Sequence, residues 1–322
     1  MTRRPLAGVI NLLKPPGITS HDAVARMRRI LGERRIGHGG TLDPGAAGVL
    51  PILVGPATKL MPFVTEQTKA YRAEMTLGIV TDTQDASGET VRVSESFSLA
   101  PVRLGDAMAA FLGEIEQVPP MTSAIRVGGR RLYELARKGH EVERPPRKVH
   151  IYEMHVVAVF PRDATQLVIG TRVLFDVVCS KGTYIRTLCH DIGERLGCGA
   201  HMSFLVRTRV GPYTLEKSHT FAEIEAAVAD DRLAEILLDP ETAVEHLARY
   251  VATEEEAVRL RQGQAIPARP QGLQGEPGHD GVIRVSQPGR GLVCIGRLEP
   301  GRGRISPIRV IETTSPRGDE RG

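Results

Sequence analysis

From Arg34 to Pro51 the chain reads RRIGHGGTLDPGAAGVLP, with glycine at five of eighteen positions. Neither a helical nor a strand period fits it. Glycine at this density permits turns and close backbone approaches that other residues forbid. The stretch must therefore be a shaped loop, leading into an apolar strand at Val49–Val54. Asp43 sits inside it, five positions after His38 and close behind the Arg34-Arg35 pair. A carboxylate held in such a loop can act as a nucleophile or a base. It can equally cap an Asx-turn ahead of Pro44, and the residues alone leave both readings open. No Gly-Lys-Ser/Thr follows, so the loop is not a phosphate-binding P-loop, and it does not match a dinucleotide fingerprint.

The flanking segments predict alternating strands and helices. Residues 7–13 form a buried strand ended by Pro15-Pro16-Gly17. Ser20 is the expected N-cap of a helix with Val24, Met27 and Leu31 on its apolar stripe and Gly32 past its end. Lys69–Ile79 alternates, which places Tyr71, Ala73, Met75 and Leu77 on one strand face. Leu104, Met108, Phe111, Leu112 and Ile115 mark an amphipathic helix. A loop over Gln117–Arg131 and a short helix near Leu132–Lys138 come next. Strands at Val149–Phe160 and Arg172–Cys179, a helix within Thr183–Leu196 and a strand at Phe204–Val210 follow. Thr220–Leu247 reads as helical and acidic. Thr253 and Glu256 form a capping box ahead of a helix that stops at Gly263. Beyond the Gly/Pro-rich stretch 267–281 lie three strand-like runs, Val282–Val285, Leu292–Leu298 and Ile305–Ile311. The shift in composition divides the chain into residues 1–247, a small β-rich domain at 248–312, and a disordered polar tail at 313–322.

Charge narrows the function. The 42 Lys and Arg barely exceed the 38 Asp and Glu, but they are unevenly spread. Residues 1–40 and 121–150 are strongly basic, the latter through Arg126, Arg130 and Arg131 among others, whereas 221–260 is acidic. Basic segments of this kind suit a polyanion or simply a solvated face. With 4% aromatics and no Trp, a sequence-blind single-strand binder built on stacking platforms is excluded. No run nears the roughly 18 apolar residues of a membrane helix, and the N-terminal residues lack a secretory h-region. Cys179, Cys189, Cys198 and Cys294 form no CxxC pair, and with His190 and His201 they match no zinc-ligand spacing. A reduced, cytoplasmic protein without a metal is the expectation.

Two further segments can carry chemistry. Cys179–Thr187 puts Tyr184 and Arg186 at a strand-to-helix junction. A cation in the first turn of a helix is poorly placed against the helix dipole, so Arg186 either lies at the surface or serves a buried carboxylate. Tyr71 is either a core tyrosine or a platform for one base.

These residues together resemble a known family. Gly37-His38-Gly39-Gly40-Thr41-Leu42-Asp43-Pro44 with Gly48-Val49-Leu50-Pro51 is similar to the catalytic-aspartate motif of the TruB family, the bacterial tRNA pseudouridine-55 synthases. Asn11–Gly17, Lys69–Arg72, Thr81–Gly88, Gln117–Met121, Gly129–Tyr133, Cys179–Arg186 and Arg207–Gly211 follow in the family order, so the resemblance spans about residues 8–215. Ala47 and Thr122 depart from it, at positions not assigned to the chemistry. Residues 248–312 resemble the family's PUA-type RNA-binding domain through weaker motifs.

The resemblance implies an α+β fold. A mixed or antiparallel pseudouridine-synthase sheet is flanked by helices and loops, and a small barrel-like PUA-type domain follows. It implies conversion of uridine 55 in the TΨC arm of tRNA to pseudouridine, with no cofactor, by a monomer needing no protein partner. Asp43 matches the essential aspartate, Arg186 the arginine paired with it, and Tyr71 the tyrosine that stacks on the extruded base. His38 matches the histidine that enters the T loop, Tyr184 and Leu205 the pocket lining, and Lys14 a pocket support or RNA contact. Arg126, Arg130 and Arg131, with Arg34 and Arg35, are expected to track phosphates. The alternatives are a non-catalytic RNA-binding or tRNA-folding protein on the same scaffold, and a related synthase directed at ribosomal RNA.

Overall fold

Threonine decides where three of the helices begin. In the computed structural model, which describes residues 6–121, 126–127, 130–131, 142 and 144–311, helices Ser20–Leu31, Phe221–Ala229 and Glu254–Arg261 each start from a threonine capping box. Thr19, Thr220 and Thr253 accept the N3 amide, and Asp22, Glu223 and Glu256 return a carboxylate to the cap backbone. The box expected at Thr253 and Glu256 is therefore present. The first helix caps one residue earlier than the sequence pattern suggested. Asp22 completes a box with Thr19, which leaves the Ser20 hydroxyl for another purpose.

The chain divides into two compact units. One comprises residues 1–43, 49–65 and 212–322; the other comprises 44–48 and 66–211. In the first, strand Gly8–Lys14 and the Val49–Val54 part of strand Ala47–Val54 are neighbours, and Ile36–His38 pairs antiparallel with the latter. Ile10, Leu12, Leu50 and Ile52 close against Val24, Met27 and Leu31 of helix Ser20–Leu31, joined by Phe221 and Ile224. The expected stripe on that helix is the buried one. Short pairing at Ile36–His38 inside the glycine-rich segment was not legible, because three residues are too few to show a period.

The same unit holds a second sheet and core. Strands run in the order Ile266–Pro267, Arg304–Val310, Gly291–Glu299, Val282–Gln287, Arg249–Val251, Leu273–Gln274. The three strand-like runs read from the sequence are its central members. Tyr250, Leu260, Ile283, Val285, Val293 and Ile305 fill its core beside helix Glu254–Arg261. This curled sheet fits a small barrel-like domain.

In the second unit the strand order is Ala47–Gly48, Ala200–Val210, Lys69–Leu77, Arg172–Cys179, Arg147–Phe160, Gly113–Gln117. Every pairing is antiparallel except the parallel one between Ala47-Gly48 and Val206-Arg207. Alternation is clean: Ala73, Met75, Leu77, Phe175, Val177, Cys179 and Leu205 are buried. Arg72 on the opposite face instead pairs with Asp176 across the strands, at 2.7 Å through two bonds. Both sheets with their flanking helices make the fold α+β, as expected. The helix expected to reach Ile115 ends sooner, at Ala109. Gly113 has φ +86°, a conformation that stops a helix, and Gly113–Gln117 becomes an edge strand. Within the expected loop 117–131, Arg126-Val127 pairs antiparallel with Arg130-Arg131. The helix expected near Leu132–Lys138 and the tail from Thr313 lie outside the described residues.

One carboxylate couples the C-terminal sheet to pH. Arg269 donates to both oxygens of Glu256 at 2.6 and 2.7 Å, and the Tyr250 hydroxyl adds a third bond at 3.0 Å. The guanidinium holds the Glu256 carboxyl down to about 2 against an ordinary 4.5. A carboxyl depressed on folding stabilises fully above its unfolded value and loses that contribution as pH falls through its folded one. Thermal unfolding followed by calorimetry from about pH 5 to about pH 2 is expected to show a falling midpoint for this sheet, and Glu256→Gln to flatten that part of the fall.

Candidate active site

The loop carrying Asp43 is fixed at the residue before it. The buried Ser20 hydroxyl accepts from the Leu42 amide at 2.8 Å and donates to the Leu42 carbonyl at 3.0 Å. Earlier in the loop, the Gly39 amide donates to the Pro51 carbonyl at 2.8 Å, and the Gly40 amide donates to His38 Nδ1 at 3.3 Å. A Cβ on Gly39 would lie 2.3 Å from Val64 Cγ1, so glycine is required for the loop to lie this close. Asp43 itself is half-buried. A loop held at Gly39 and again at Leu42 fixes the backbone that leads into Asp43.

Lys14 lies in the same unit and is fully buried. Its Nζ donates to the carbonyls of Pro15 and Ile18, both at 2.8 Å, which closes the turn ahead of helix Ser20–Leu31. Its position, with no solvent exposure and both bonds to backbone carbonyls, is that of a support for this turn.

The second unit brings together Tyr71, Leu205, Tyr184 and Arg186. Tyr71 is half-buried on the inner face of strand Lys69–Leu77, as the alternation predicted. Its cross-strand neighbours are Val177 and Arg207, and Leu205 stands opposite Ala73, two residues along the same face. Helix Ile185–Leu196 lies against strands Ala200–Val210 and Lys69–Leu77, with Tyr184 at its N-cap. The face also carries two buried cations. Arg207 is 1% exposed, and Lys69 donates to the Gln67 carbonyl at 2.6 Å. Burial, helped by the charge on Arg207, brings the Lys69 ammonium down to about 8. Burial likewise pushes the Cys179 thiol across from it up to about 11, so this cysteine is no nucleophile.

Arg186 occupies the second position of its helix and is 4% exposed. Of the two readings the sequence left open, burial is the observed one. Its Nη1 donates to the Thr83 carbonyl and to Asp85 Oδ2, both at 3.3 Å. Asp85 is itself organised by Thr83 Oγ1 at 2.8 Å and the Ser87 amide at 2.9 Å. The next helical residue, Thr187, donates to Gln84 Oε1 at 2.9 Å. Sequence reasoning missed Asp85: its motif was visible, but a carboxylate a hundred residues from its arginine leaves no spacing signal. The backbone of Arg126, Arg130 and Arg131 forms the short antiparallel pair described above. Among the described residues no group of three His, Cys, Asp or Glu side chains is arranged to hold a metal ion. No helix is long and apolar enough to cross a membrane among those residues.

An α+β scaffold with a mixed sheet and a small curled second sheet fits the fold of a pseudouridine synthase. The comparisons agree. Residues 28–185 match the family model described as TruB family pseudouridylate synthase (N terminal domain), and 186–245 match the tRNA pseudouridylate synthase B C-terminal domain. The chain belongs to the TruB family of pseudouridylate synthases. It is 50% identical over 264 residues, 81% of this chain and 84% of the relative, to tRNA pseudouridine synthase B of Symbiobacterium thermophilum. It is 42% identical over 94% of its length to the Geobacillus thermodenitrificans protein of that name, covering 99% of the latter. Among solved structures, a chain of a Cbf5-Nop10-Gar1 complex superposes with a TM-score of 0.69 at 31% identity, covering 90% of this chain and 78% of the other.

The buried Arg186–Asp85 pair is open to direct test. Asp85→Ala removes one acceptor, at 3.3 Å, from a guanidinium whose side chain is 5% exposed, and a hydrogen bond to a charged group is worth about 1.5–3 kcal/mol. Denaturant unfolding is expected to show a loss of that order, whereas Asp176→Ala, which breaks the exposed pair with Arg72, is expected to cost about 1 kcal/mol or less.

Proposed function

We propose that this chain is a tRNA pseudouridine synthase that acts, in the cytoplasm, on uridine 55 of the T arm. The observation that carries the reading is the match to proteins named tRNA pseudouridine synthase B, 50% identical over 81% of the chain and 42% identical over 94% of it, with the Asp43 loop present. In the isomerisation the N1–C1′ bond of uridine breaks and a C5–C1′ bond forms. The C5 hydrogen leaves and N1 gains one. Nothing is oxidised or hydrolysed, so the chemistry asks for no cofactor.

In this reading Asp43 is the reacting carboxylate and Arg186 the cation that favours its ionised form in a dry site. Tyr71 stacks on the extruded uracil, which offsets part of the few kcal/mol that unstacking costs. Tyr184 and Leu205 line the pocket, and His38 fills space in the opened T loop. Asp85 holds Arg186, and Lys14 holds the turn behind the first strand. Arg34, Arg35, Arg126, Arg130 and Arg131 supply contacts to phosphate, which give affinity and not base choice. Residues 1–247 form the catalytic part and 248–312 a PUA-type RNA-binding part, in a monomer that needs no protein partner.

Chains of a Cbf5-Nop10-Gar1 complex and of an archaeal box H/ACA sRNP Nop10-Cbf5 complex share the fold at 31% and 26% identity. The tRNA enzymes match at 40–50%, and this difference favours tRNA as the substrate.

The test uses T-arm RNA tritiated at C5 of the target uridine. Wild type is expected to release the tritium and Asp43→Asn to release none while still binding the RNA. Binding without release by wild type would point instead to a tRNA-folding protein. Release from Asp43→Asn would overturn the role of Asp43. Affinity is expected to fall steeply between about 50 and 200 mM salt, and an affinity indifferent to salt would remove the phosphate contacts.

A further inference from the structure

The helix that carries Arg186 begins unlike the three threonine-capped helices. Helices Ser20–Leu31, Phe221–Ala229 and Glu254–Arg261 cap themselves, whereas Ile185–Leu196 starts at Tyr184, whose side chain makes no capping bond. Its first-turn side chains are engaged elsewhere: Arg186 with Thr83 and Asp85, Thr187 with Gln84. A cation at this position also opposes the helix dipole. Left alone, the first turn would fray.

One of the two bonds that a capping box supplies, acceptance of the cap residue's own amide, comes from another strand. Gln117, 1% exposed, is the last residue of edge strand Gly113–Gln117. Its Oε1 accepts the Tyr184 amide at 3.0 Å, and its Nε2 donates to the Tyr184 carbonyl at 3.3 Å. That carbonyl also accepts the first helical bond, from Leu188 at 3.0 Å. In the self-capped helices an acidic residue three positions on receives the cap amide; here Gln117 receives it, sixty-seven residues away in the chain. The amide and the carbonyl of Tyr184, on its two flanking peptide groups, are thus both held by one side chain.

We infer that Gln117 is a positioning residue for the proposed reaction: its amide caps helix Ile185–Leu196 from outside, fixing Tyr184 and the first turn that presents Arg186. The inference rests on the proposed function only in its kinetic consequence; the clamp itself stands on the geometry. The side chain at this position must donate and accept at once, as a carboxamide does. Leucine does neither, and an ionised glutamate accepts only. A neutral glutamic acid does both, its O–H donating to the Tyr184 carbonyl and its C=O accepting the amide.

The experiment compares wild type, Gln117→Leu and Gln117→Glu in the full chain, with Asp43→Asn as the inactive control. Single-turnover tritium release by Gln117→Leu is expected to fall between about 10- and 100-fold at every pH, with tRNA affinity kept within about twofold. Gln117→Glu is expected to approach wild type at low pH and to lose ground progressively as pH rises and its carboxyl ionises. Amide hydrogen exchange at Tyr184 and Leu188 is expected to quicken in Gln117→Leu. Unchanged exchange there would overturn the clamp whether or not the protein proves to be a synthase. A Gln117→Leu rate equal to that of an active wild type, or a Gln117→Glu rate parallel to wild type across pH, would overturn the positioning role. Should Gln117→Leu fail to fold, the pH profile and exchange of Gln117→Glu decide alone.

Discussion

A guanidinium buried at the start of a helix constrains much of the second unit. Removing Arg186 from water is costly unless its charge is matched, and its helix dipole opposes it. The chain answers with Asp85, in a loop ordered by Thr83 and Ser87, and with Gln84 held by Thr187. Gln84 takes φ +63°, a conformation unusual for a residue with a side chain, and its carbonyl accepts the Met202 amide at 3.0 Å. The loop is thus tied on one side to the helix and on the other to the sheet. Arg186 is held from several directions at once.

Positive charge in this chain has two separate uses, and the +4 total separates neither. Lys14, Lys69, Arg186 and Arg207 are all buried, and the first three are seen to donate to backbone carbonyls. Such cations organise turns and strand faces from within. Exposed arginines such as Arg34 and Arg35 are available to a polyanion. Counting basic residues along the sequence merges the two. Burial distinguishes them, and burial of a lysine has no signature in a single sequence.

Elements with strong local signals were legible. The alternation at Lys69–Leu77 put Tyr71 on the inner face, and the Thr253–Glu256 spacing marked its helix. The stripe of Val24, Met27 and Leu31 is the buried one. Signals failed where an apolar pattern was ambiguous or a partner was distant. Phe111, Leu112 and Ile115 continued the helical period of Leu104 and Met108, but Gly113 at φ +86° breaks the helix and the next residues pair as a strand. Ser20 matched the preferences of an N-cap, yet Thr19 had the acidic partner at the right spacing. Asp43 stood out through its glycines. Asp85 and Gln117 did not, because what they do depends on a residue brought near only by folding.

The irregular helix start nonetheless suggests how such a site could be found without a family to compare. Where local propensity, capping and charge agree, a helix specifies itself, as the three threonine-capped helices do. Helix Ile185–Leu196 breaks two of those rules together, with an aromatic cap that makes no capping bond and a cation in its first turn. Each violation destabilises the isolated helix, so the surrounding fold must supply the compensation. Asp85 answers the charge and Gln117 the cap. A helix whose start is stabilised entirely by other segments is one whose first-turn side chains are free to be chosen for something other than folding. Tyr184 and Arg186 occupy such positions.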